Sequence, residues 1–185
     1  MAITYPTTLD VFTNPTSTSL LTSPNHAQQH SDLNDAVEAL EAKVAIGNTV
    51  LGTYTAYTPT WTNLTVGNGS VISSYARVNN FIHYLGVFAL GTTSAITGNV
   101  SISLPVNAGT PWSPGYNMPN NSVSFHDIST GIIYEGVAWG EGGTIMRLKV
   151  CNSSSTYVGT DNLSSTIPMT WTNTDRIQWN IIYRA

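Results

Sequence analysis

The sequence predicts a mainly β protein, a jelly-roll-like β-sandwich head over residues 48–185 preceded by an extended arm (1–23) and one short coiled-coil helix (24–47). Three observations carry that expectation. From about Thr53 onward, apolar and polar residues alternate with a period of two in short runs. Clusters of Gly, Asn, Pro and Ser separate the runs roughly every 10 residues. Only one stretch has convincing helical spacing, and it lies ahead of all the runs.

The arm comes first. Its 23 residues hold Pro6, Pro15 and seven Thr, with neither a helical nor a strand period. Ile3, Tyr5, Leu9, Val11, Phe12, Leu20 and Leu21 are nevertheless spread along it, more apolar and aromatic groups than a solvated tail usually carries. A segment of this kind becomes ordered by lying on another surface. The expectation is a docking arm.

The helix follows over 24–44. Ser23 can act as its N-cap, with Pro24 at the first helical position, where a missing N–H costs nothing. Gly47 supplies the stop. Leu33, Val37, Leu40 and Val44 recur at intervals of four, three and four, an a/d seam with Val at a and Leu at d. Five of the chain's sixteen charges (Asp32, Asp35, Glu38, Glu41, Lys43) lie here, mostly off the seam. The pattern indicates self-association. β-Branched a with Leu at d leans toward two strands, and two heptads are too short to associate alone, so the β-domain must hold the assembly.

Strand alternation then runs through 71–78, 80–90, 100–104, 123–128, 131–139, 144–150 and 177–183. Expected turns lie at Gly67-Asn68-Gly69, Thr97-Gly98-Asn99, 111–119, 140–143 and Ser153-Ser154-Ser155. In the last strand Ile177, Trp179, Ile181 and Tyr183 share one face, while Gln178, Asn180 and Arg184 share the other. The run 81–90 differs, being apolar on both faces through Leu85 and Val87. Such a strand needs cover on both sides, from the second sheet and from a neighbouring subunit.

Composition narrows the function. Only 9% of the 185 residues are charged, against roughly 25% in ordinary soluble domains. Thr, Ser and Asn contribute 26, 19 and 17 residues, so neutral hydrogen-bonding groups replace charge. With a net charge of −4 and six Lys plus Arg, no basic patch for nucleic acid can be assembled. The single Cys151 excludes a disulfide within the chain and any Cys-based zinc or iron–sulfur site. No apolar run approaches the roughly 18 residues of a membrane span. The opening Met1-Ala2-Ile3-Thr4-Tyr5-Pro6 has neither a cationic nor an apolar signal region, so no secretory signal is expected. An extracellular-looking surface without an export address fits a virion surface, assembled in a host cytoplasm and released by lysis, or a periplasmic or secreted protein whose signal peptide has been removed.

The run from Asn25 to Val44, with Leu33-Asn34-Asp35-Ala36 leading into Glu38-Ala39-Leu40-Glu41-Ala42-Lys43-Val44, resembles an element near the N-termini of tailed-bacteriophage appendage proteins. Tyr57-Thr58-Pro59-Thr60-Trp61-Thr62, Gly67-Asn68-Gly69, Tyr75-Ala76-Arg77-Val78, and Thr97-Gly98 ahead of Leu104-Pro105, resemble a β-domain of phage fibre and minor tail proteins. The resemblance covers most of 25–104 and, more loosely, 177–184. It implies a homotrimer whose N-terminus is anchored on a major capsid or other virion protein, with the β-head exposed. Shaft repeats typical of long fibres are missing, which favours a short head fibre, a capsid decoration knob or a stubby tail-tip protein over a long tail fibre. The other readings are a tail-tip receptor-binding protein that contacts host glycans and a free lectin-like module.

Groups able to do chemistry are sparse. His26 and His30, four apart, extend the helix seam backward and would place six imidazoles on one axis of a trimer, but no third metal-ligand motif accompanies them. Carboxylates of the β-region are limited to Asp127, Glu135, Glu141, Asp161 and Asp175, and only Asp127 and Glu135 flank a common hairpin. No nucleophile elbow, phosphate loop or His-Glu-x-x-His occurs, so neither catalysis nor a cofactor is expected. Trp112, with Tyr116, lies on a loop and is the candidate contact for a host surface glycan.

Overall fold

The computed structural model describes residues 26–44, with side chains through Leu40, and 52–109, 121–154 and 156–185. The arm residues Ile3, Tyr5, Leu9, Val11, Phe12, Leu20 and Leu21, and the loop residues Trp112 and Tyr116, lie outside these. Two compact units divide the chain, Met1–Thr53 and Tyr54–Ala185. The first contains helix α1 (His26–Val44). On it Leu33, Val37 and Leu40 are all exposed, Leu33 at 56%. Asp32 is the buried polar group of this helix and accepts a 2.8 Å hydrogen bond from Gln28 Nε2 one turn earlier.

The second unit is all β. Its strands are β1 (Thr55–Ala56), β2 (Trp61–Thr65), β3 (Ser70–Val78), β4 (Phe81–Ala89), β5 (Ala95–Ser103), β6 (Asn121–Asp127), β7 (Ile132–Glu141), β8 (Ile145–Asn152), β9 (Gly159–Asn162) and β10 (Arg176–Arg184). They form one antiparallel sheet in the order β1-β3-β4-β10-β6-β7-β8-β5-β2, with β9 on β8. The C-terminal strand β10 inserts between β4 and β6, pairing Trp179 with Gly86 on one side and Val123 on the other.

The sheet curls until its two ends meet, giving the sandwich-like, jelly-roll-like form. Trp61 of the last strand, β2, packs its ring 5.4 Å from Phe88 of β4 and 5.7 Å from Trp179 of β10. Tyr57, which follows β1, donates its N–H to Ser73 O of β3, and its hydroxyl meets Ser103 Oγ of β5 at 2.7 Å. Curling removes most of the open edge that a flat sheet would expose.

Period two decides what lies inside. Val71, Phe88, Ile177 and Phe125 form one inward row; Ser73, Gly86, Trp179 and Val123 form the next; Tyr75, Tyr84 and Ile181 form a third. Phe88, Ile177, Phe125, Val123, Tyr84 and Ile181 are fully buried. Burial pushes the Tyr84 and Tyr183 phenols well above the ordinary tyrosine range, so both stay protonated. Tyr183 donates to Val106 O at 2.7 Å.

One expected turn is a strand. Thr97-Gly98-Asn99 lies inside β5, opposite a bulge in β2 where pairing jumps from Thr62↔Ser101 to Leu64↔Ile96. At the bulge Asn63 takes a left-handed φ of 57° and its Nδ2 donates to Asn99 O at 2.9 Å. A Cβ on Gly98 would sit 3.3 Å from the Asn63 side chain, so glycine here serves close approach and not a chain reversal.

Asp175 is a structural carboxylate. Fully buried, it accepts from Thr172 N, Thr172 Oγ1 and Ile128 N at 2.6, 3.0 and 3.0 Å, tying the 170–175 loop to the end of β6. Asp175→Ala strands three donors and should cost about 3 kcal/mol or more in urea unfolding, because charge-assisted bonds are each worth roughly 1.5–3 kcal/mol. A midpoint unchanged from the parent would refute this role.

Candidate functional site: the open face of β3, β4 and β10

The outward face of the curled sheet is built by the alternate residues of the same strands. Ile72, Val87, Gln178 and Ser124 stand opposite one another across β3, β4, β10 and β6, and Ser74, Leu85, Asn180 and Ser122 form the adjacent row. Ile72 is 71% exposed, while Leu85 and Val87 are half-buried by their neighbours alone. Together with Ser122, Ser124 and Gln178 they line a shallow concavity of about 340 Å³. One half is aliphatic, the other carries uncharged donors and acceptors, and no charged side chain lines it.

Among the described residues of the β-unit, the doubly apolar strand therefore has cover on one side only. Ile82, Tyr84 and Phe88 fill the core, whereas Phe81 at the start of β4 is 62% exposed. Within one chain nothing among the described residues packs over Ile72, Leu85 and Val87 as a second layer. Within the β-unit, the sheet's other end reaches the inner face of β4 and supplies the first of the two covers expected.

A fixed polar relay borders this face. Tyr54 Oη is hydrogen-bonded to His83 Nδ1 at 2.5 Å, and His83 Nε2 to Asn180 Oδ1 at 2.7 Å. His83 is the functional-looking residue that sequence reasoning missed, although an imidazole inside an aliphatic strand was its available signal.

Chemical groups elsewhere stay apart. Asp127 closes the β6–β7 turn, accepting from Ser129 Oγ at 2.7 Å and Thr130 N at 3.1 Å, bonds that hold its carboxyl below the usual range. Glu135 stands opposite Ser124, three residues from Asp127, which places the two acids on opposite faces of the sheet. They are not a juxtaposed pair. Ser124 Oγ lies 3.1 Å from His126 Nε2, but among the described residues no carboxylate bonds the imidazole to orient it. On α1, His26 and His30 converge, their Nε2 atoms 2.7 Å apart. Among the described residues no group of three metal-ligating side chains occurs.

No family model and no curated protein matches the chain. A solved structure of avian reovirus sigmaC, residues 117–326, matches with a TM-score of 0.44 and 10% identity, over 89% of this chain and 92% of that one.

Proposed function

We propose that this chain is a non-enzymatic structural protein of a virus particle, a self-associated trimeric knob or short fibre held on the virion surface by its N-terminal arm. The uncovered aliphatic patch of Ile72, Leu85 and Val87 carries the self-association. It sits on the outer face of an otherwise alternating sheet, where a second copy provides the cover that the described residues of one chain do not. Exposed Leu33, Val37 and Leu40 on α1 give the same reading a second, parallel contact, to which Val44 would add a further turn. The sequence likeness to phage appendage proteins supports the trimer and the virion location; capsid decoration or head fibre is the first reading and tail-tip receptor binding the second.

Light scattering on the full chain should give a particle three times the 19.9 kDa chain mass. A particle of the single-chain mass would end the proposal. The arm is tested separately. Deleting residues 2–22 should leave the head assembled with an unchanged thermal melt, while attachment to particles is lost. Ordering an extended arm costs roughly 1–2 kcal/mol per residue, so many contacts along Ile3 to Leu21 must act together. Normal occupancy of particles by the truncated head would place the anchor elsewhere.

A further inference from the structure

A second concavity, of about 430 Å³, lies away from the oligomer face, between the 90–96 and 165–173 segments. That volume is within the roughly 300–1,000 Å³ typical of small-molecule sites. Its wall is the half-buried indole of Trp171, and Thr92, Ser165, Thr170, Thr172 and Asn173 surround it. No charged side chain lines it. We infer that this cleft is a binding site for a neutral, hydroxyl-rich ring, a saccharide stacked against Trp171.

The lining selects the ligand class. Without a cation the cleft has no charge to pair with a phosphate or carboxylate. The nearby acid, Asp175, is consumed by three hydrogen bonds inside the fold and leaves no ligand for a metal. Ser165, Thr170 and Asn173 make no side-chain hydrogen bond to the described residues, so their hydroxyls and amide are available to a ligand's hydroxyls. An indole presents a flat apolar face to the C–H side of a sugar ring while neutral groups bond its edge.

The site is also preformed. Trp171 is held by its Nε1–H donating to Ser164 O at 2.9 Å and by an edge contact with Phe125, ring centroids 6.2 Å apart. Leu90 N donates to Asp175 O and Thr174 N to Leu90 O, clasping one wall to the other. On the opposite side Gly91 N donates to Ser94 Oγ, and Asn68 bonds Thr92 and Thr93. Fixed walls reduce the entropy lost on binding, which is what allows a small neutral ligand to be held at all.

The test uses the full chain and the methyl glycosides of glucose, galactose, mannose, rhamnose, N-acetylglucosamine and N-acetylgalactosamine, with inorganic phosphate alongside. Saturation-transfer NMR should detect at least one glycoside with a dissociation constant on the order of 1 mM. The Trp171 indole N–H resonance, assigned through Trp171→Phe, should shift with the same titration. The double variant Ser165→Ala/Asn173→Ala, whose side chains are exposed, should keep its melt and bind at least about tenfold more weakly. Binding of no glycoside, binding untouched by the double variant, or phosphate shifting Trp171 equally would each overturn the inference. The cleft lies within one chain, so this result and the oligomeric state stand or fall independently.

Discussion

Val87→Asp is expected to convert the assembled protein to single chains of 19.9 kDa while leaving its β-sheet circular dichroism intact. Val87 points outward, half-buried between Ile72 on β3 and Gln178 on β10, so the carboxylate stays hydrated in the monomer. In an assembly that covers this row it would be desolvated without a cation, a penalty of several kcal/mol per buried ion. Repeated once per subunit, that exceeds what a typical interface can lose and still persist at micromolar concentration. Leu85→Asp, one position along the same face, should behave alike. A variant that keeps the parental mass in light scattering would remove this face from the interface.

The second large effect is internal. Gly86 faces inward between Ser73 and Trp179, and a Cβ built on it would lie 2.3 Å from Trp179 Cζ2 and 2.5 Å from Ser73 Cβ. The indole cannot retreat, because Tyr84 and Trp61 rings each stand 5.7 Å from it. Gly86→Ala should therefore destabilise by about 3 kcal/mol or more, at the upper end of overpacking costs. For a unit of this size that is a fall in melting temperature of roughly 10 °C. Gly131→Ala provides the contrast. Its φ is +73° with open space around it, so only about 1 kcal/mol of conformational strain is expected. If Gly86→Ala melts within about 2 °C of the parent, the close packing of Trp179 on β4 is wrong.

Seven strands and the helix were legible because their apolar residues keep an unbroken local period. Trp61 and Leu64 of β2 were harder to read, because the Asn63 bulge spaces the inward residues three apart and cancels the alternation. β9, Gly-Thr-Asp-Asn, holds no apolar residue and owes its strand state to pairing with β8 alone. Gly98 misled in the other direction, since a glycine demanded by a neighbouring bulge carries the same letters as a glycine in a turn. Leu85 and Val87 were legible as surplus apolar groups, and the structure leaves them on an open face. The Trp171 cleft was not legible. Its two walls lie about 75 residues apart in the chain, and each alone is an ordinary polar loop.

By itself the sequence determined the all-β character of the head, which residues of the last strand face inward, the scarcity of Lys, Arg and Cys, and the excess of apolar surface on 81–90. These follow from local spacing and composition, which need no knowledge of partners. Only the tertiary structure decided that β10 enters between β4 and β6, that Trp61 closes the curled sheet onto Phe88 and Trp179, and that Asp127 and Glu135 point apart. Strand order and closure are chosen by long-range packing among strands of nearly equal local preference. A period of two orients a side chain but carries no address for the strand beside it.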